Sequence, residues 1–255
     1  MGQPGLSAPR VVVARDLAEA ARLAAQEVVA RAQAAASLRG RFTLALSGGH
    51  TPQALHALLA DPVEHFRGRI SWAATHVFFG DERCVPPDHP DSNYGAARRS
   101  LLAHVPLPAS NVHRLRGEDD PLAAAAAYEA ELRRVVPVEP GLPRLDLILL
   151  GLGADGHTAS LFPGTAALDE ETRLVVANEV PQVGGFRLTF TFPLIRAARA
   201  VAFLVAGEDK AAAVSDVLGG RGARPAARVH LAEGDLTWYL DEAAASRLPA
   251  ALRRP

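Results

Sequence analysis

Residues 145–165 read LDLILLGLGADGHTASLFPGT, and the fold follows from the change of character half-way along this stretch. Residues 145–150 form an almost unbroken apolar run of strand length, the pattern of a parallel strand covered on both faces. Gly151, Gly153 and Gly156 then supply three flexible points, with Asp155, His157, Thr158 and Ser160 between and after them. In an open parallel sheet, ligands collect beyond the carboxyl ends of the strands, so this polar turn sits where an α/β protein places its active site.

Working outward, a second strand–turn–helix unit spans residues 42–59. Residues 42–46 read as a strand, Ser47-Gly48-Gly49-His50 as a glycine turn, and QALHALLA as helix, with Thr51 placed to cap that helix and Pro52 to fill its first turn. Glycines that let backbone approach a phosphate, next to the unpaired amides of a helix start, suit an anion. The motif is neither a Walker loop nor GxGxxG, and a plain tight turn would read the same way. A third strand is predicted over 72–79, ending in Gly80-Asp81-Glu82-Arg83. Charges at the carboxyl end of a strand are either substrate contacts or a surface ion pair. Asp91 or Ser92 then caps a helix reaching Leu102.

The remaining elements are scaffold in this reading, with two exceptions. A strand at 11–13 leads into a helix opened by Asp16 and Glu19, spaced as a capping box, and stopped by Gly40. Asp120 and Pro121 open an alanine-rich helix, residues 172–176 are strand-like, residues 201–206 form a buried strand, and Asp241 caps a closing helix. The first exception is FRLTFTF at 186–192, whose alternation sets Arg187 opposite Phe186, Leu188 and Phe190, so that it either meets solvent or faces an anion. The second is Lys210, the only lysine in the chain, at a strand-to-helix junction.

Composition narrows the function classes. With 27 basic and 28 acidic residues the net charge is −1 and no basic block is present, which argues against nucleic acid as a partner. No run reaches the length of a membrane span, and the start MGQPGLSAPR lacks the apolar core of a secretory signal, so the expected location is the cytoplasm. A single cysteine, Cys84, excludes an internal disulfide and a cysteine-cluster metal site. The expectation is one α/β domain over residues 1–255, with residues 1–9 a flexible start.

Three stretches together resemble the 6-phosphogluconolactonases: SGGHTP at 47–52, DERCVPPDHPDSNY at 81–94 and LLGLGADGHTASLFPGT at 149–165, with RLTFT and GEDKA as further matches. At His50 the chain departs from the Ser or Arg that the family often carries. The resemblance implies a Rossmann-like, mostly parallel sheet flanked by helices, and a small phosphosugar lactone as substrate of a monomer that needs neither metal nor organic cofactor. It implies His157 as general base, aided by Asp81 and Asp155, and a phosphate clamp made by Ser47, Gly48, Gly49, Thr51, Arg83, Arg187 and Lys210. The related glucosamine-6-phosphate isomerases and deaminases carry an acidic residue shortly after the matching histidine. Here the segment is Ala159-Ser160-Leu161-Phe162-Pro163, without a carboxylate. A non-catalytic sugar-phosphate sensor is the other rival, and this chain has no basic recognition helix to serve one.

Overall fold

The computed structural model describes residues 8–220 and 223–253, so the first seven residues of the expected flexible start lie outside it. The apolar runs at 11–13, 42–46, 145–150 and 201–206 become strands of one parallel sheet. In chain order the elements are β1 (Arg10–Ala14), α1 (Leu17–Arg39), β2 (Phe42–Leu46), α2 (Thr51–Ala60), α3 (His65–Arg69), β3 (Thr75–Phe79), β4 (Asp81–Arg83) and α4 (Asn93–Ser100). They continue with α5 (Pro121–Val135), β5 (Leu147–Leu150), β6 (Val175–Val180), β7 (Gly185–Phe190), α6 (Phe192–Ala197), β8 (Ala200–Val205), α7 (Ala211–Leu218) and β9 (Asp235–Asp241).

The large sheet has the order β1-β9-β8-β5-β2-β3, with every pairing parallel. All residues of β2, β5 and β8 are buried, as strands covered on both faces require. From β2 the chain moves outward to β3, whereas from β5 it moves the other way to β8, so the strand order reverses between β2 and β5. Such a reversal opens a crevice at the carboxyl ends of the two strands. The turns of 47–50 and 151–158 both empty into it.

At Gly80 the chain leaves this sheet for a smaller one. The Gly80 N–H donates to the Leu46 carbonyl at 2.9 Å, while its carbonyl accepts from the Phe190 N–H at 2.8 Å. Beyond it β4 joins an antiparallel sheet of order β4-β7-β6, which sequence patterning did not separate from the first. Other boundaries move for local reasons. Residues 72–74 form a helical turn and not the start of β3. Leu101 and Leu102 lie past the end of α4. The strand expected at 172–176 begins at Val175, and β7 stops at Phe190 because Pro193 favours a helix start and opens α6. The segment after Asp241 makes turns, with the Asp241 carboxylate accepting from the Ala244 N–H at 2.7 Å, where a helix was expected. Helix α3, five residues without a side-chain cap, is not among the expected elements.

Caps behave as local chemistry dictates. Asp16 accepts from the Glu19 N–H at 2.8 Å, Ser92 from the Gly95 N–H at 3.0 Å and Asp120 from the Ala123 N–H at 2.9 Å. Helix α2 differs: its N-cap is His50, without a side-chain cap bond, and Thr51 is already helical. The first amides of α2 are therefore not capped by a side chain at the crevice.

Helix α2 is seated partly through His56, whose Nδ1 lies 2.8 Å from Ser100 Oγ of α4 and whose Nε2 is buried without a partner. Burial pushes the His56 imidazole down to about 4. The folded-state value is depressed, so the unfolded chain takes up the proton first as pH falls, and stability is lost from about pH 6.5 downward to about pH 4. Between pH 7 and pH 5 this one group should cost about 2 kcal/mol. Urea melts at the two pH values, run on wild type and His56→Gln, check it. The variant should show a smaller acid loss, and an unchanged loss would refute the role.

Candidate active site

The crevice is a cavity of about 430 Å3 lined by the ends of β2, β4, β5 and β8 and the turns after them. It brings together Ser47, Gly48, Gly49, Thr51, Asp81, Arg83, His157 and Lys210 from the predicted set. Two predicted residues do not line it. Asp155 stands behind His157, and Arg187 sits half-buried on β7 with its Nη1 donating to the Phe186 carbonyl at 3.1 Å.

The His157 side of the cavity is built within the 151–161 turn. His157 Nδ1 lies 2.6 Å from Asp155 Oδ1, and the same oxygen accepts the His157 backbone N–H at 3.1 Å. With Nδ1 engaged, Nε2 is the ring nitrogen left for the cavity. Burial alone would raise the Asp155 carboxyl, but the His157 N–H and imidazole facing it hold it below its ordinary range. The ring stacks on Phe162 at 4.0 Å between centroids, which fixes its plane. Gly153 is obligatory here: a Cβ at that position would lie 2.1 Å from His157 Nδ1 and 2.5 Å from Asp155 Oδ1. The Thr158 hydroxyl donates to the Gly151 carbonyl at 2.9 Å and closes the turn. Ala159, which also lines the cavity, is the one non-glycine with positive φ, at 47°, among the described residues.

Asp81 has a different environment. Ser160 Oγ donates to its Oδ2 at 2.7 Å, and Asn93 Nδ2 donates to its carbonyl at 2.9 Å and to Oδ1 at 3.3 Å. Asn93 is held in turn because Glu82, also buried, caps α4: its carboxylate accepts from the backbone N–H groups of Arg83, Asn93 and Tyr94 and from Ser92 Oγ. Burial raises the Glu82 carboxyl against those donors. Glu82 is therefore a strut between β4 and α4, not a substrate contact. Sequence reading named the charges of Asp81-Glu82-Arg83 but had no signal for this division.

The cavity lining also includes the backbone turn of 47–49, the uncapped start of α2, Lys210 and Arg83. Lys210 Nζ is 2.9 Å from a carboxylate oxygen of Asp209, its neighbour in the GEDK motif. Arg83 donates through Nη1 to the Asp91 carbonyl at 2.5 Å and is paired directly with Arg187 in the β4–β7 ladder. No group of three or more His, Cys, Asp and Glu side chains among the described residues is placed to hold a metal ion. None of their helices is long and apolar enough to cross a membrane.

A family model for glucosamine-6-phosphate isomerases/6-phosphogluconolactonase matches residues 15–238. The chain belongs to that family. Among its relatives, a Synechocystis protein named 6-phosphogluconolactonase is 45% identical over 226 residues, covering 87% of this chain and 90% of the relative. The solved 6-phosphogluconolactonase of Trypanosoma brucei superposes with a TM-score of 0.86 at 30% identity, covering 96% of this chain and all (100%) of the other. A monomeric glucosamine-6-phosphate deaminase also shares the fold, with a TM-score of 0.78 at 24% identity over 93% of this chain and 99% of its own. The fold thus hosts both activities, and the site must separate them.

Proposed function

We propose that this family member hydrolyses 6-phospho-D-glucono-1,5-lactone to 6-phospho-D-gluconate, the second step of the oxidative pentose phosphate pathway. The observation that carries the reading is the Asp155–His157 pair, with Nδ1 engaged at 2.6 Å and His157 lining a cavity that Lys210 and the 47–49 backbone also line. The relatives named for this activity point the same way.

The chemistry asks little of the protein. A lactone carbonyl is already electrophilic, so a site needs a base for water and support for a developing oxyanion. In this reading water attacks the carbonyl carbon while His157 Nε2 takes its proton, and Asp155 stabilises the imidazolium. The tetrahedral adduct then collapses, the bond from the carbonyl carbon to the ring oxygen breaks, and the imidazolium returns the proton to that oxygen. The products are the free acid and a hydroxyl, so atoms and charge balance. Asp81, tied to Ser160 and Asn93, is the acceptor for sugar hydroxyls. The phosphate lies against the 47–49 amides, Thr51 and Lys210, with Arg83 and Arg187 beyond them. Like charges opposite one another in a strand pair are unfavourable, and an anion beside Arg83 and Arg187 relieves the repulsion.

Ring opening and isomerisation by the related deaminases draw on an acidic residue after the histidine. Here that stretch supplies buried Leu161 and the ring of Phe162 stacked on His157. Acid release from freshly generated lactone, corrected for spontaneous hydrolysis, tests the reading, with fructose-6-phosphate formation from glucosamine-6-phosphate as the counter-assay. Lactone turnover alone is expected. Turnover of the amino sugar alone would overturn the assignment, and binding without either activity would make the protein a sensor.

A further inference from the structure

We infer that Arg224, anchored by Asp216, is a positioning residue that braces the Asp155–His157 pair from outside the cavity; the inference rests on the reaction proposed above. Neither residue lines the cavity, and neither belongs to a motif that carried the sequence reading.

The geometry is a three-point hold. Arg224 Nη1 donates to the Asp155 backbone carbonyl at 2.8 Å. Its Nε and Nη2 both donate to Asp216 Oδ2 of α7, at 3.2 and 2.9 Å, so the guanidinium is fixed at two edges. The aliphatic stem lies flat on Gly156, where a Cβ would come within 2.6 Å of Arg224 Cδ. Gly156 has φ +83°, a conformation open to glycine at little cost. Two residues further on, the Ala226 N–H donates to the Gly156 carbonyl at 3.0 Å. Consecutive carbonyls of the reactive turn, those of Asp155 and Gly156, are therefore both gripped by the 224–226 segment.

Asp155 is the only residue between this grip and the imidazole. Its carbonyl is held by Arg224 and its carboxylate holds His157 Nδ1, so a shift at Arg224 reaches the base through one side chain. Arg224 and Asp216 are each about one-third exposed, at 32% and 34%, too wet for their ion pair to add much stability by itself. What the pair supplies is orientation, and small misplacements of a catalytic group are costly in rate.

Arg224→Ala should lower kcat by about 10- to 100-fold while KM stays within about twofold, because nothing in the phosphate half is touched. Arg224→Lys, which keeps a cation at Asp216 but loses the fork, should fall between the two. The decisive comparison repeats Arg224→Ala in an Asp155→Ala background. If Arg224 acts through Asp155, the second substitution costs no further kcat. A loss of equal factor in both backgrounds, or a rise in KM with kcat unchanged, overturns the inference. The downfield proton resonance of His157 Nδ1 gives a readout independent of turnover, and it should shift or broaden in Arg224→Ala. An unmoved resonance would also overturn it. Should the alanine variant fail to fold, Arg224→Lys and Asp216→Asn carry the same comparisons. If His157→Ala and Asp155→Ala both keep full turnover, the proposed reaction fails, and the resonance still reports on the brace.

Discussion

His157→Ala should fold normally and lose turnover of the phosphogluconolactone by about 100- to 10,000-fold, the span general base catalysis contributes. Normal folding is expected because little of the structure rests on the ring. The side chain is 28% exposed, its stacking partner is Phe162, and the backbone N–H that holds Asp155 survives the substitution. The turn also keeps the Thr158 bond to Gly151 and the grip of Ala226 on Gly156. In the proposed reaction, what disappears is the nitrogen that accepts the proton of water. KM should move little, since the imidazole contributes to the transition state more than to ground-state binding. Thermal melting and initial rates corrected for uncatalysed hydrolysis make the measurement, and near-native turnover in a folded variant would remove His157 from the mechanism.

Lys210→Ala should do the reverse, raising KM by about 10- to 100-fold with kcat within a few-fold. A charge-assisted bond to a phosphate is worth about 1.5–3 kcal/mol, and in the proposed binding mode Lys210 makes it equally in ground and transition states. Removing the ammonium also leaves Asp209 without that partner at the cavity wall, so a phosphate placed as proposed would meet a carboxylate in place of a cation. Inhibition by inorganic phosphate should weaken in parallel, which separates loss of the phosphate contact from a general disturbance. Arg187→Ala should show the same sign with a smaller change, because Arg187 stands outside the cavity lining. A fall in kcat with KM and phosphate inhibition unmoved would show that Lys210 serves the reacting end.

The elements that sequence disclosed are those with local causes. The apolar runs of β2, β5 and β8 announce strands buried on both faces, and the glycines and polar residues after them announce the turns. Asp16, Ser92 and Asp120 are caps whose partners lie three residues away, so spacing alone finds them. The small antiparallel sheet was not legible, because its β4 is only three residues long and pairs with a strand about a hundred positions further on. The supporting groups of the site escaped for the same reason. Glu82 reads as one more charge until α4 is placed on it, Ser160 as one more hydroxyl until Asp81 faces it, and Arg224 as one arginine among many until α7 brings Asp216 alongside. Asp81 and Asp155 are indistinguishable as two aspartates in the sequence, and the roles proposed for them differ only through the partners that folding gives them.

The outer edge of the parallel sheet bears on how the protein is made. Strand β1 pairs with β9, residue Arg10 opposite Thr237, so among the described residues the strand made earliest takes its partner from the strand made latest. Until then the valines of β1 have no strand to lie against. Synthesis therefore completes β2, β3, β5 and β8 before the β1 edge can close. Strands β2, β5 and β8 lead into the crevice, and Asp155, Asp216 and Arg224 all precede β9, so the crevice and its brace are synthesised before that edge is paired.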